Sequence, residues 1–274
     1  EVEDAEQNES EGFEDLSPTL FQRSLNNENE RQWLIQADYV HPFAANAKFE
    51  TGVRNTLRNI DNAFMVEELK QETDEWALLP NFTNTFDYDE NIYAGYAILS
   101  NKTGNWSYQG GLRVEATDIG IYLLETNERS EKNYVNFFPS VFLTYAFSKE
   151  NQLQSSYSRR INRPGFRDLN PFFSFTDARN IRTGNPDLDP EFTDSYELGW
   201  LHNFTSGNIY FGAYYRYTDQ VVARVSRVED DGITYSRPEK LSTENSFGFE
   251  LNGSKDLTDW WNINGNVNVF RAIT

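Results

Sequence analysis

An all-β architecture of antiparallel, two-faced strands is the fold class this sequence predicts, on three observations. From Trp33 onward apolar residues recur at every second position in segment after segment, which is the period of a pleated strand. A helical period is sustained nowhere. The links between the predicted strands alternate along the chain between tight turns and mostly longer loops.

Taken in order, the first 31 residues carry ten acids against Arg23 and Arg31, and Ser17-Pro18 interrupts any helix. They read as an acidic loop or arm. Residues 32–274 then read as ten strands, at 33–43, 47–59, 91–101, 105–125, 134–148, 151–163, 191–204, 208–228, 233–255 and 260–273. The polarity of the second face is the informative part. Phe49, Val53 and Leu57 oppose Glu50, Arg54 and Arg58. Tyr196, Leu198, Trp200 and Phe204 oppose Ser195, Glu197, Gly199 and Asn203. In the last strand Trp261, Ile263, Val267 and Val269 oppose Asn262, Asn264, Asn266 and Asn268.

The tight turns fall at 44–46, 101–104, 148–151, 205–208 and 256–259, and the other links at 60–90, 126–133, 163–190 and 229–232, the last being short. One rim of turns and one of loops is the layout of an antiparallel transmembrane β-barrel in an outer membrane. Phe43, Trp106, Phe147, Phe204 and Trp261 stand on the apolar register at the tight-turn ends, where an aromatic girdle belongs. His202 and Asp194, polar on that register, lie towards the ends of their strand, where a polar group costs less than at mid-bilayer.

The run Tyr157-Ser158-Arg159-Arg160-Ile161-Asn162-Arg163-Pro164-Gly165, then Asp168-Leu169-Asn170-Pro171-Phe172, then Gly184-Asn185-Pro186-Asp187-Leu188-Asp189-Pro190-Glu191, resembles the barrel region of TonB-dependent receptors. Within these it is most similar to the outer-membrane β-barrel family common in Bacteroidetes-type bacteria, as are Gln36–Pro42 and Gly111–Glu115. The resemblance implies a transporter barrel of about 22 strands with a plug in its lumen. It implies import of a scarce, large ligand, of siderophore, glycan or peptide class. The implied partners are outer-membrane lipid and a TonB-type energy-coupling protein reached through the plug, with a surface lipoprotein left open as a third. Ten strands fall short of such a barrel, and neither a plug nor a closing aromatic strand is read. The expectation is therefore an internal, partial barrel.

Composition bears on other classes. With 43 Asp+Glu against 24 Lys+Arg the formal net charge is −19, which repels phosphate backbones and argues against a nucleic-acid partner. No Cys and two His, at 41 and 202, disfavour disulfide frameworks and thiolate or imidazole metal sites. No apolar run reaches the 18 or so residues of a membrane helix, but a spanning strand needs only about 9–11. The acidic opening lacks the pattern of a secretory leader, so a mature protein or a fragment is expected. There is no Gly-x-Ser-x-Gly elbow and no Gly-rich phosphate loop, and acid pairs such as Glu67/Glu68 and Asp87/Asp89 are expected by chance among so many acids. No catalytic residue, metal ligand or cofactor is assigned.

For ligand contact the candidates are Phe172, Phe173, Phe175, Arg179 and Arg182, because exposed aromatics and Arg are typical anchors. The Pro and Gly residues of 163–190 have a purely structural reading beside this one, as stiffeners and turn formers, with Gly165 and Gly184 supplying unusual backbone angles. Glu229-Asp230-Asp231-Gly232 reads as a solvated hairpin tip in preference to a calcium loop. The alternative to a receptor is a soluble or surface-attached all-β binding module. In that case the apolar face would be covered by a second sheet.

Overall fold

The computed structural model describes residues 21–80, 83–171, 174–177, 180–230 and 232–274, with backbone alone at 174–177. Ten strands build one antiparallel sheet: β1 (Gln22–Ala44), β2 (Ala47–Lys70), β4 (Asn84–Thr103), β5 (Trp106–Leu123), β6 (Glu128–Ala146), β7 (Asn151–Asn162), β10 (Glu191–Phe204), β11 (Gly207–Asp219), β14 (Thr243–Thr258) and β15 (Trp261–Ile273). They pair in chain order, and β3 (Glu75–Leu78) folds back on β2. A smaller sheet holds β8 (Ser174–Asp177), β9 (Asn180–Arg182), β12 (Val222–Val228) and β13 (Thr234–Lys240), and α1 (Phe166–Leu169) is a single helical turn. The end strands β1 and β15 are not hydrogen-bonded to each other, so the sheet is an unclosed arc.

Register carries one face right across this arc. Arg54 pairs with Gln36 and Ala94, Ala94 with Glu115, Glu115 with Asn136. Gln154 pairs with Gly199, Gly199 with Gly212, Gly212 with Glu250 and Glu250 with Asn268. These residues share the polar face. The opposite face holds Val53, Leu198 and Val267, which are 55%, 52% and 57% exposed. No described residue covers them.

The tight turns are those expected, with Gly104 at φ +57 in the β4–β5 turn. Along that rim the girdle is continuous in places. Trp106 lies 4.7 Å from Tyr145, Tyr145 lies 4.9 Å from Phe147, and His202 is held between Trp200 and Phe204 at 5.7 and 6.0 Å. His202 Nδ1 also meets Asn151 Oδ1 at 3.0 Å, so this polar intruder is partnered. At the other end of β10 the Tyr157 hydroxyl donates to Asp194 at 2.7 Å, and Arg159 reaches the same carboxylate at 3.5 Å.

The strands differ from the sequence reading in two ways. Strands at the long-loop rim run on: β1 starts at Gln22, inside the stretch read as an acidic arm, β2 continues to Lys70 and β4 starts at Asn84. The β1 extension is wet on both faces and carries no apolar period, whereas those of β2 and β4 bury Ile60, Val66, Phe86 and Tyr88; cross-strand polar pairs tie the extensions together. Among these are Arg23–Glu67 at 2.6 Å, Arg58–Glu30 at 2.7 Å and Asn62–Asn26 at 2.8 Å. The predicted strands 208–228 and 233–255 are each broken in two. Gln220, at φ 59, turns the chain out of the main sheet after β11, and β12 then pairs with β13 as a hairpin.

Candidate functional site

The link between β7 and β10 folds back against the polar face of the arc. Gly165 starts α1, whose Leu169 and Asn170 amides donate to the Gly165 and Phe166 carbonyls at 3.2 and 2.9 Å. Pro171 forbids further helix, and Asn170 before it is extended, as a residue preceding proline prefers. Phe166, Leu169 and Leu188 are buried against Ile60, Phe86, Tyr88, Ile119, Ile121 and Leu123. These wall residues sit on the polar register near the long-loop rim. A sandwich would cover the apolar face, whereas here the covering element lies on the other one.

The loop is fastened by charge as well. Arg163 donates to Glu115 at 2.6 Å, to Thr117 at 3.0 Å and to the Tyr134 hydroxyl at 3.3 Å. Asn185 donates to the Pro238 carbonyl at 3.1 Å and accepts from Arg237 at 2.7 Å, tying the loop to the β12–β13 hairpin. Lys132 donates to the Leu188 carbonyl, and Asp189 takes Lys240 at 2.6 Å and Lys132 at 3.5 Å. Burial pushes the Asp189 carboxyl up, but the two ammonium groups outweigh it and hold it below the usual carboxylate range. A depressed folded pKa gives stability that is present above the unfolded value, about 3.9, and is lost as pH falls through the folded one. Proteolysis within 163–190 should accordingly accelerate below about pH 4, and Asp189→Asn should show the faster cleavage already at neutral pH.

Gly184 makes the closest approach in this loop. A Cβ there would lie 2.4 Å from the Asn170 carbonyl oxygen and 2.7 Å from that of Asp168, both backbone atoms. Its role is therefore steric and not, as the sequence suggested, an unusual backbone angle; Gly165, at φ −68, is likewise ordinary. Gly184→Ala should destabilise the seated loop by about 1–3 kcal/mol, while Gly165→Ala, whose Cβ would meet nothing nearer than 3.6 Å, should not. Hydrogen exchange at Asn185 and Leu188 reads the difference.

Between the loop and the wall lies a cleft of about 450 Å³. Asn26 of β1, Asn62 and Phe64 of β2 and Asn84 of β4 form its floor, while Phe166, Arg167, Arg182 and Arg224 close it from the loop side. The Phe166 ring has the Arg58 and Arg167 guanidinium groups 5.9 and 5.5 Å from its centroid. Of the ligand-contact candidates, Arg182 lines this cleft and is exposed. The backbone of Phe175 pairs with Ile181 in the small sheet, and Phe172, Phe173 and Arg179 lie outside the described residues. Asn84, Arg167 and Arg224 were not anticipated, because nothing in a polar strand or loop distinguishes them. Asp231 of the hairpin tip also lies outside the described residues, and among those described no three His, Cys, Asp or Glu side chains gather as a metal site requires.

The same arc recurs in solved structures. The copper transporter OprC superimposes with a TM-score of 0.69 at 14% identity, covering 91% of this chain and 38% of that one. The siderophore receptor PiuA from Acinetobacter baumannii gives 0.66 at 13% identity, covering 91% and 39%. The ferric yersiniabactin uptake receptor FyuA from Yersinia pestis gives 0.61 at 15%, covering 93% and 37%. At such identities the likeness is one of fold, and the chain spans somewhat more than a third of these proteins. No curated protein matches the sequence. The model of the outer membrane protein beta-barrel family matches residues 2–273, and with it come the Gram-negative outer membrane as location and a partial barrel as architecture. This chain belongs to the outer membrane protein beta-barrel family.

Proposed function

We propose that the chain is the barrel portion of a TonB-dependent outer-membrane receptor that imports a scarce, large ligand. One observation carries the reading. The apolar register is bare where hydrocarbon would meet it, while the element that does fold over the sheet lies on the polar register and encloses a cleft at the long-loop rim. A pore lining needs polar groups and a gate or loop above it; a lipid-facing wall needs the reverse.

In this reading lipid surrounds the arc, further strands complete the barrel, and a plug couples the lumen to a TonB-type protein. The Bacteroidetes-type grouping rests on the loop motif together with Gln36–Pro42 and Gly111–Glu115, and a surface lipoprotein is a candidate partner. Phe172, Phe173, Phe175, Arg179 and Arg182 are proposed to meet the ligand from the outer rim. The activity is transport, and no residue is given a catalytic role.

Uptake tests this. Cells carrying the complete receptor are compared with cells lacking it and with cells lacking the energy-coupling protein, across labelled ferric siderophores, oligosaccharides and oligopeptides. Both deletions should abolish accumulation of the same compound. Accumulation that depends on the receptor but not on the coupling protein would point to a passive pore instead.

A further inference from the structure

We infer that the cleft beneath the 163–190 loop binds a small ligand bearing a carboxylate next to a neutral group that both donates and accepts hydrogen bonds. The receptor reading supplies only where such a ligand would come from; the site itself rests on two side chains. Asn84 is 3% exposed and lines the cleft, yet neither its Nδ2 nor its Oδ1 has a hydrogen-bond partner among the described residues. A buried amide with both ends unpaired is costly and calls for an occupant. The neighbouring amides do not serve it: Asn62 Nδ2 donates to Asn26 Oδ1 at 2.8 Å, and neither side chain bonds to Asn84.

Arg182 is the second. It lines the same cleft, is exposed, and has no hydrogen bond or ion pair from its guanidinium among the described residues. The other two arginines of the lining are already engaged, Arg167 with Glu28 at 3.0 Å and Arg224 with Asp168 at 3.3 Å. With Glu28 and Asp168 each answered by one of these arginines, Arg182 leaves one uncompensated positive charge at the cleft in a chain of net charge −19, which favours an anion here. A planar guanidinium matches a carboxylate in two parallel hydrogen bonds better than any other anion-binding side chain. The volume of about 450 Å³ suits a small ligand or the end of a larger one.

Two sources offer this chemistry, an acidic sugar, with hydroxyls beside its carboxylate, and a peptide carboxyl terminus, with an amide beside it. Binding to the complete receptor, purified in detergent, is measured by calorimetry at low ionic strength with four probes: trigalacturonate and its methyl ester, triglycine and its amide. In one pair the free acid should bind at least tenfold more tightly than the blocked form, and that pair names the source. Arg182→Gln should erase the tenfold preference without changing the blocked probe. Asn84→Leu should weaken both members of the pair while leaving thermal stability unchanged or raised, an outcome a purely structural asparagine would not give. Absence of binding, or equal binding of acid and blocked forms in both pairs, overturns the inference. So does an acid preference that survives Arg182→Gln. These results are independent of uptake: binding without coupled accumulation would overturn the transport reading and leave the site.

Discussion

Placing arginine at Val267 in the complete, membrane-inserted protein is expected to cost about 2–4 kcal/mol of folding stability, the range for a cation at mid-bilayer on a barrel's lipid face. Val267 pairs with Leu251 across the apolar register, well away from the aromatic rim at Trp261, and is 57% exposed. The charge there has no water and no acid within its register neighbourhood. Asn266, one residue earlier, pairs with Asn252 on the polar face, where an added arginine stays hydrated and the expected cost is near zero. Denaturant titration in lipid vesicles separates the two variants. A larger loss for Asn266→Arg than for Val267→Arg would mean that the faces are inverted.

Replacing Arg163 by alanine is expected to unseat the loop, at a cost of about 3–5 kcal/mol, the range for removing one partner of a buried ion pair. Glu115 is 7% exposed and would keep only Arg113, at 2.6 Å, of its two guanidinium partners. Thr117, fully buried, and the Tyr134 hydroxyl would lose their donor as well. Because the barrel wall is held by its own ladders, the loss should be local. Protease sensitivity and fast hydrogen exchange should appear between residues 163 and 190 while the barrel still migrates as a folded species. Glu115→Gln should be milder, since the amide oxygen can still accept from Arg163.

Much of this architecture is legible in the sequence. Wherever one face meets lipid and the other water, the period of two survives and fixes both strand and register, as in β10 and β15. The tight turns are legible because alternation stops there. The long-loop rim is less so, because a strand wet on both faces, such as Ser24–Gln32, carries no apolar period. The docking face for the loop is also marked in the sequence. Along β5 the apolar set changes register, from Leu112 and Val114 to Ile119, Ile121 and Leu123, past Thr117. Above that point the polar face turns greasy because α1 and Leu188 cover it. The cleft left no trace at all. Asn62 and Asn84 read like Asn264 and Asn266, and only the fold decides that Asn84 is buried while Asn266 is exposed.

Which way the apolar register points is measured directly by spin labels placed singly at 195 through 200 in the membrane-inserted protein. Accessibility to oxygen should peak at 196, 198 and 200, and accessibility to a water-soluble nickel chelate at 195, 197 and 199. An alternation of opposite phase, or protection of 196, 198 and 200 from both reagents, would show these side chains packed against protein and would contradict the lipid-facing wall.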